Sequence, residues 1–253
     1  MHTVPAVSQL LDLEGQSILL TGASGNIGQG IARRLHEAGA TIIAHCHRNF
    51  AAAEALIESL GRGDIVRADL RDEAAVVALF EHIRPHGVVN NAAAQHLHGL
   101  PGLSLDDWRR MQQATLDSAF LVTQQAAKSW RRQSLGGAIV NIASIEGLDP
   151  AVGHAHYASS KAGVLMFTRA AALEYGGDSI RVNAVSPGLI DRPGLGDEWP
   201  QGVERWQNRA PLGRLGVPND VADAVLFLLS PAARWISGAN LVVDGGMSAQ
   251  SRW

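Results

Sequence analysis

The 253-residue sequence predicts a layered α/β fold in which a mostly parallel sheet is covered by helices on both faces. Short apolar runs alternate with longer segments of helical apolar period along nearly the whole chain. Glycine accounts for 27 residues and aromatics for only 5%. Small residues let helices approach a sheet closely, whereas β-sandwiches lean on aromatic and β-branched residues. With 46% hydrophobic and 18% charged residues, the chain can bury one large core, and it does not have the composition of a disordered protein.

The elements follow in order. Residues 1–15 are a short lead-in. Residues 16–21 are an apolar run that ends in a glycine cluster, as a buried strand does. A helix is expected over 27–38, because Ile27, Ile31 and Leu35 recur every fourth position and Gly39 stops it. A strand (41–44), a helix (50–60) ended by Gly61, a strand (64–68), a helix (72–83) before Pro85 and a strand (87–90) complete the first half. The second half opens with a long helix (104–133), expected to break near its start. It continues with a strand (138–142), a long helix (156–175), a strand (180–184), a helix (219–229) capped by Asn219, and a last strand (241–243). Residues 188–210, rich in Gly, Pro and Trp, are too long for an ordinary connection and are expected to form a lid. No linker, repeat or low-complexity tract interrupts the pattern, so residues 1–253 are expected to form a single domain.

Charge and composition exclude several functions. A formal charge of −3 argues against a nucleic-acid partner. No run of about 18 apolar residues suggests a membrane span. The single cysteine, Cys46, excludes an internal disulfide and a cysteine-rich zinc module. The first residues lack a basic and then apolar signal pattern, which makes a cytoplasmic location the expectation. His45/His47, His96/His98 and His154/His156 are alternating pairs able in principle to face a metal. No carboxylate follows at a motif-like spacing, so no metal site is expected. The pairs are read as solvated loops or, for the second and third, as polar pocket walls.

Two motifs carry chemistry. Thr21-Gly22-Ala23-Ser24-Gly25-Asn26-Ile27-Gly28 joins the first strand to the first helix. Such a helix start offers free N–H groups to a phosphate, and glycines let the backbone approach it. The plain alternative is a glycine-rich turn with no ligand, and the strand–turn–helix setting argues against it. Tyr157 and Lys161 are four apart on a helix and share a face. An ammonium near a phenol lowers its pKa and makes tyrosine useful as a general acid or base. Ser144 follows the 138–142 strand at its carboxyl end, where open α/β sheets bind ligands. Taken singly, these residues could be a solvated helix face and a turn residue. Other catalytic signatures are missing, with neither Gly-x-Ser-x-Gly nor a Gly-Lys-Ser/Thr phosphate loop present.

With these motifs the chain resembles the short-chain dehydrogenase/reductases, most of all their β-ketoacyl-carrier-protein reductase-like branch. The resemblance runs from Gly15 to Gly246. It includes Thr21-Gly22 through Gly28, Asp69-Leu70, Asn90-Asn91-Ala92, Ser144, Tyr157 with Lys161, Ser186-Pro187-Gly188, residues 211–216 and Asp244-Gly245-Gly246. It implies a Rossmann-like, doubly wound parallel sheet of about seven strands. It also implies NAD(P)-dependent interconversion of a ketone and a secondary alcohol, with a small-molecule carbonyl or alcohol as substrate. By the same resemblance Tyr157 exchanges the proton, Lys161 lowers its pKa and holds the nicotinamide ribose, and Ser144 hydrogen-bonds the reacting oxygen. Gly22, Ser24, Asn26, Ile27 and Gly28 belong to the phosphate turn. Asp69 and Leu70 flank the adenine, Asn91 lies along the cofactor, and Pro187, Gly188 and Ile190 border the nicotinamide. The family pairs its two long central helices, here about 111–133 and 156–175, into dimers or tetramers.

Four positions depart from the family pattern. Asn26 stands at the middle glycine, a place where asparagine's tolerance of positive φ would preserve the turn. Ala93 replaces a glycine. Thr115 replaces the helix asparagine of the proton relay, and Arg192 replaces a threonine that contacts the nicotinamide amide. Residues 35–48 are also similar to pteridine reductases, which usually carry Asp where this chain has Ser144. The rival reading from another class is a dinucleotide-sensing binding protein without turnover. The displaced glycine favours it, and the complete Ser144, Tyr157 and Lys161 set opposes it.

NADP(H) is expected over NAD(H). An NAD enzyme of this architecture usually holds the ribose 2′-hydroxyl with an acid about 20 residues beyond the glycine turn. None occurs between Glu37 and Glu54, and that stretch carries His47 and Arg48, suited to a phosphate. No basic residue in the glycine turn reinforces Arg48.

Overall fold

The computed structural model describes residues 4–249. Its strands are β1 (Ser17–Leu20), β2 (Thr41–Cys46), β3 (Asp64–Arg67), β4 (Gly87–Asn90), β5 (Gly137–Ile142), β6 (Ile180–Pro187) and β7 (Asn240–Val243). All are parallel in one seven-stranded sheet of order β3-β2-β1-β4-β5-β6-β7. Side chains alternate across it with period two. Ile18, Leu20, Ile42, Ala44 and Val89 enter one core, while Leu19, Ile43 and Val88 enter the other. Central strands buried on both faces explain the unbroken apolar runs in the sequence.

The first core is roofed by α1 (Asn26–Glu37), α2 (Phe50–Leu60) and α9 (Pro218–Leu229), through Ile31, Leu35, Leu56, Val221 and Val225. Gly30 permits the closest approach of α1 and α9: a Cβ there would lie 2.4 Å from Pro218 Cβ. The second core is roofed by α3 (Glu73–His82), α5 (Ser118–Arg132) and α6 (Ala155–Tyr175), with Leu79, Phe80, Val122 and Trp130 inside.

Local signals account for most boundaries. Asp72 caps α3 by accepting from the backbone N–H groups of Ala74 and Ala75 at 2.9 and 3.4 Å. Gly61 ends α2 with φ +75°. Pro218 opens α9 at a position that needs no N–H, so the expected Asn219 cap is not used. Asp220 instead accepts from Val217 N–H at 2.7 Å. The expected break in the long helix is a π turn, Gln113–Asp117, between α4 (Leu105–Gln112) and α5. The 188–210 segment, expected to form a lid and named the lid for its place in the chain alone, holds two short helices, α7 (Leu195–Glu198) and α8 (Pro200–Arg209). Among the described residues, no helix is long and apolar enough to cross a membrane.

Candidate active site

The strand order reverses between β1 and β4, which opens a crevice at their carboxyl ends. The glycine turn leaves β1 there, and Asn91 leaves β4. Gly22 has φ +64°, and a Cβ on it would lie 3.0 Å from Ala92 Cα. A Cβ on Gly28 would lie 2.4 Å from Gly22 O, so a side chain at either position would fill the cradle. The Asn91 amide donates to Thr21 O and Gly22 O, both at 3.0 Å, and so braces the turn. This bare turn at the start of α1, with half-buried Ser24 and Ile27, fits the pyrophosphate of a dinucleotide.

At the far end of the crevice, β2 and β3 end side by side, with Cys46 opposite Arg67. Asp69 is held by Arg71, whose Nε and Nη2 donate at 2.9 and 2.7 Å; that pairing keeps its carboxyl at about 2. His47 Nε2 stands 3.8 Å from Asp69 Oδ2, and Arg67 Nε donates to His47 O at 3.1 Å. Arg48 is exposed, and Leu70 is buried in the core. His45 lies beneath the turn, where its Nδ1 accepts from Gly22 N–H at 3.4 Å and its Nε2 donates to Ala68 O at 3.1 Å. Burial holds its pKa below the ordinary histidine value, in keeping with a neutral ring.

Ser144, Tyr157 and Lys161 meet at the carboxyl end of β5, all three buried. The N–H of Glu146 donates to Ser144 Oγ at 3.1 Å, so Ser144 also caps the turn that follows β5. Burial pushes the Tyr157 phenol up to about 12; a hydrogen bond with Ser144 lowers it and the charge of Glu146 raises it further. Lys161 donates to Ile142 O at 2.7 Å and lies 5.6 Å from the Tyr157 ring centroid. Its own pKa falls to about 8 through burial. The expected lowering of the phenol by Lys161 is therefore not found in the protein alone, where desolvation dominates. Pro187 ends β6, and Gly188 N–H returns to Val243 O at 2.9 Å.

A family model described as enoyl-(acyl-carrier-protein) reductase matches residues 22–248. The chain belongs to the short-chain dehydrogenase/reductases. It is 37% identical to the (3R)-3-hydroxyacyl-CoA dehydrogenase of Canis lupus familiaris, over 94% of this chain and 98% of the relative. It is 35% identical to the 3-oxoacyl-(acyl-carrier-protein) reductase of Pseudomonas aeruginosa, over 94% and 99%. A gluconate 5-dehydrogenase from Burkholderia cenocepacia, solved with NADP and tartrate, superposes with a TM-score of 0.90 at 28% identity, over 97% of this chain and 100% of that one. The protein is an NAD(P)-dependent oxidoreductase that interconverts a ketone and a secondary alcohol.

Within this dehydrogenase/reductase the departures take on physical meaning. Asn26 is the first residue of α1, and the only non-glycine positive φ values among the described residues are at Ser134 and Ser179. The expectation that Asn26 adopts positive φ is corrected, because Gly22, four residues earlier, makes that turn. Asn26 Nδ2 instead donates to Asp191 O at 2.7 Å, tying the glycine turn to the lid. Arg192 is paired with Glu198 inside the lid. Ile190 bridges to Gly216 beneath it. Thr115 is buried in the π turn, its hydroxyl 3.7 Å from Met111 Sδ. Trp206 packs on Gly188, where a Cβ would lie 2.8 Å from the ring, whereas Trp199 packs within the lid on Gly202 and is half-exposed.

The motifs do not reveal His45, Arg67, Arg71 or Glu146 as parts of the site. His45 belongs to an alternating pair read as a solvated loop and is instead buried beneath the turn. Glu146 follows no signature quoted above, Arg67 reaches the crevice through the register of β3 on β2, and Arg71 through its pairing with Asp69. His154 packs edge-on to Tyr157 at 5.8 Å, and His156 packs on His96 at 5.0 Å. Among the described residues, no three His, Cys, Asp or Glu side chains are grouped to hold a metal ion.

Proposed function

We propose that Tyr157 is the general acid–base of this oxidoreductase, that Ser144 orients the reacting oxygen, and that Lys161 holds the nicotinamide ribose. The convergence of these three buried side chains beside the glycine cradle carries the reading. In the direction of reduction the substrate oxygen accepts hydrogen bonds from Ser144 Oγ and Tyr157 Oη, and the phenol gives up its proton as the alkoxide forms. A phenol near 12 is fully protonated at neutral pH and ready to donate. A bound nicotinamide dinucleotide supplies the hydride chemistry. Gly22, Ser24, Asn26, Ile27 and Gly28 would hold its pyrophosphate, Asp69 and Leu70 its adenine, and Asn91, Pro187, Gly188 and Ile190 its remaining length. The buried Thr115 hydroxyl is available for proton relay, with only the Met111 sulfur as its partner among the described residues.

NADP(H) is the preferred cofactor. His47 and Arg48 supply the 2′-phosphate contacts, and Arg67 adds positive charge beside them, whereas the charge of Arg71 is balanced by Asp69. The protein assembles as a homodimer or homotetramer through α5 and α6, whose exposed Phe120, Met166 and Leu173 leave an apolar surface to cover. Its work is in the cytoplasm, as one domain, on small-molecule carbonyls or alcohols. A screen of ketones and alcohols with both cofactors, read by nicotinamide absorbance, tests the reading; lack of turnover with every carbonyl would overturn it.

A further inference from the structure

Glu146 and His154 stand between Ser144 and Tyr157 in the chain and close on each other across the site. His154 Nδ1 donates to Glu146 Oε2 at 2.7 Å, with side chains only 14% and 18% exposed. Each end is rigidly tied to the catalytic groups. Glu146 rides on the turn capped by Ser144, and His154 sits one helical step before Tyr157 with its ring against the phenol. A polar pair this far from water gains little stability over apolar packing, because both groups must be desolvated. Its atoms still open to a ligand are specific in kind. The carboxylate can only accept, and an imidazole whose proton lies on Nδ1 presents Nε2 as an acceptor too.

We propose that this pair reads a hydroxyl group on the carbon next to the reacting carbonyl, so that the substrate is an α-hydroxy ketone or the corresponding vicinal diol. The inference rests on the reductase reading above and narrows its substrate class. Glu146 accepts the hydroxyl proton, and His154 fixes the carboxylate and offers a second acceptor. A carboxylate at that carbon is repelled by Glu146, and an alkyl group leaves its accepting capacity beyond the His154 bond unmet, which is costly in a site shielded from water.

Matched ketones that differ only by a methyl for the hydroxyl isolate this contact: hydroxyacetone against butan-2-one, and 1-hydroxyhexan-2-one against heptan-3-one. With NADPH, the wild-type kcat/KM is expected to favour the hydroxylated member by about a hundredfold. In Glu146→Ala the ratio should fall to within about fivefold of unity, and in His154→Ala it should fall at least tenfold. The ratio cancels any general change in Tyr157 acidity or in folding, whereas a pair that only staples the loop would lower both members equally. Wild-type ratios below about three, or ratios unchanged in the variants, would overturn the proposal while leaving the reductase reading intact. Turnover of none of the four ketones would overturn the proposal and leave the reductase reading to the wider carbonyl screen. Should the variants not fold, a wild-type ratio below about three still overturns the proposal.

Discussion

Lys161 directs its ammonium to the carbonyl oxygen of Ile142, 2.7 Å away across the end of β5, while standing 5.6 Å from the centroid of the Tyr157 ring. The lysine is thereby fixed beside the phenol, and in the protein alone burial dominates the acidity of the phenol. Burial governs both groups, raising Tyr157 to about 12 and lowering Lys161 to about 8.

Tyr157→Phe removes the transferable proton and little volume. Turnover should fall by about 10²–10⁴, with cofactor affinity, read by nucleotide fluorescence, within about threefold of wild type. A chemistry-limited rate above a tenth of wild type would exclude Tyr157 as the acid.

Lys161 also predicts a pH dependence of stability. Its pKa is depressed from 10.5 to about 8, so between those values the unfolded chain binds more protons and wild-type stability rises with pH. Tyr157, raised from 10.0 to about 12, acts oppositely above pH 10, leaving pH 8–10 as the clean window. Relative to Lys161→Met, the wild type should gain about 2 kcal/mol across it. Urea midpoints that run parallel for the two proteins would contradict a buried, depressed Lys161.

Thr115→Val should lower the rate modestly, by less than tenfold, and Thr115→Asn should be tolerated. Threonine offers one hydroxyl where an amide offers separate donor and acceptor groups, so its share in a relay is small. A loss equal to that of Tyr157→Phe would instead make Thr115 indispensable to proton transfer.

Arg48→Ala should raise the Michaelis constant for NADPH about tenfold and leave that for NADH nearly unchanged, since a charge-assisted contact to phosphate is worth about 1.5–3 kcal/mol. Initial rates with each cofactor measure this directly. Equal changes with both, or a wild type that prefers NADH, would refute the assignment of the 2′-phosphate contacts.

Read alone, the sequence determined the alternation of strands and helices, the glycine turn, and the Ser144, Tyr157 and Lys161 set. These depend on neighbours a few residues apart: apolar period, the Asp72 cap, the Gly61 stop, the spacing of Gly22 and Gly28. Tertiary structure alone decided what those groups face. Lys161 finds Ile142 O across 19 positions, His45 supports Gly22 across 23, and Asn26 reaches Asp191 across 165. Such contacts follow from sheet register and the packing of distant loops, which no local pattern encodes. Burial has the same origin. A tyrosine four residues before a lysine reads as an activated phenol, yet only the folded chain shows that desolvation outweighs the nearby charge.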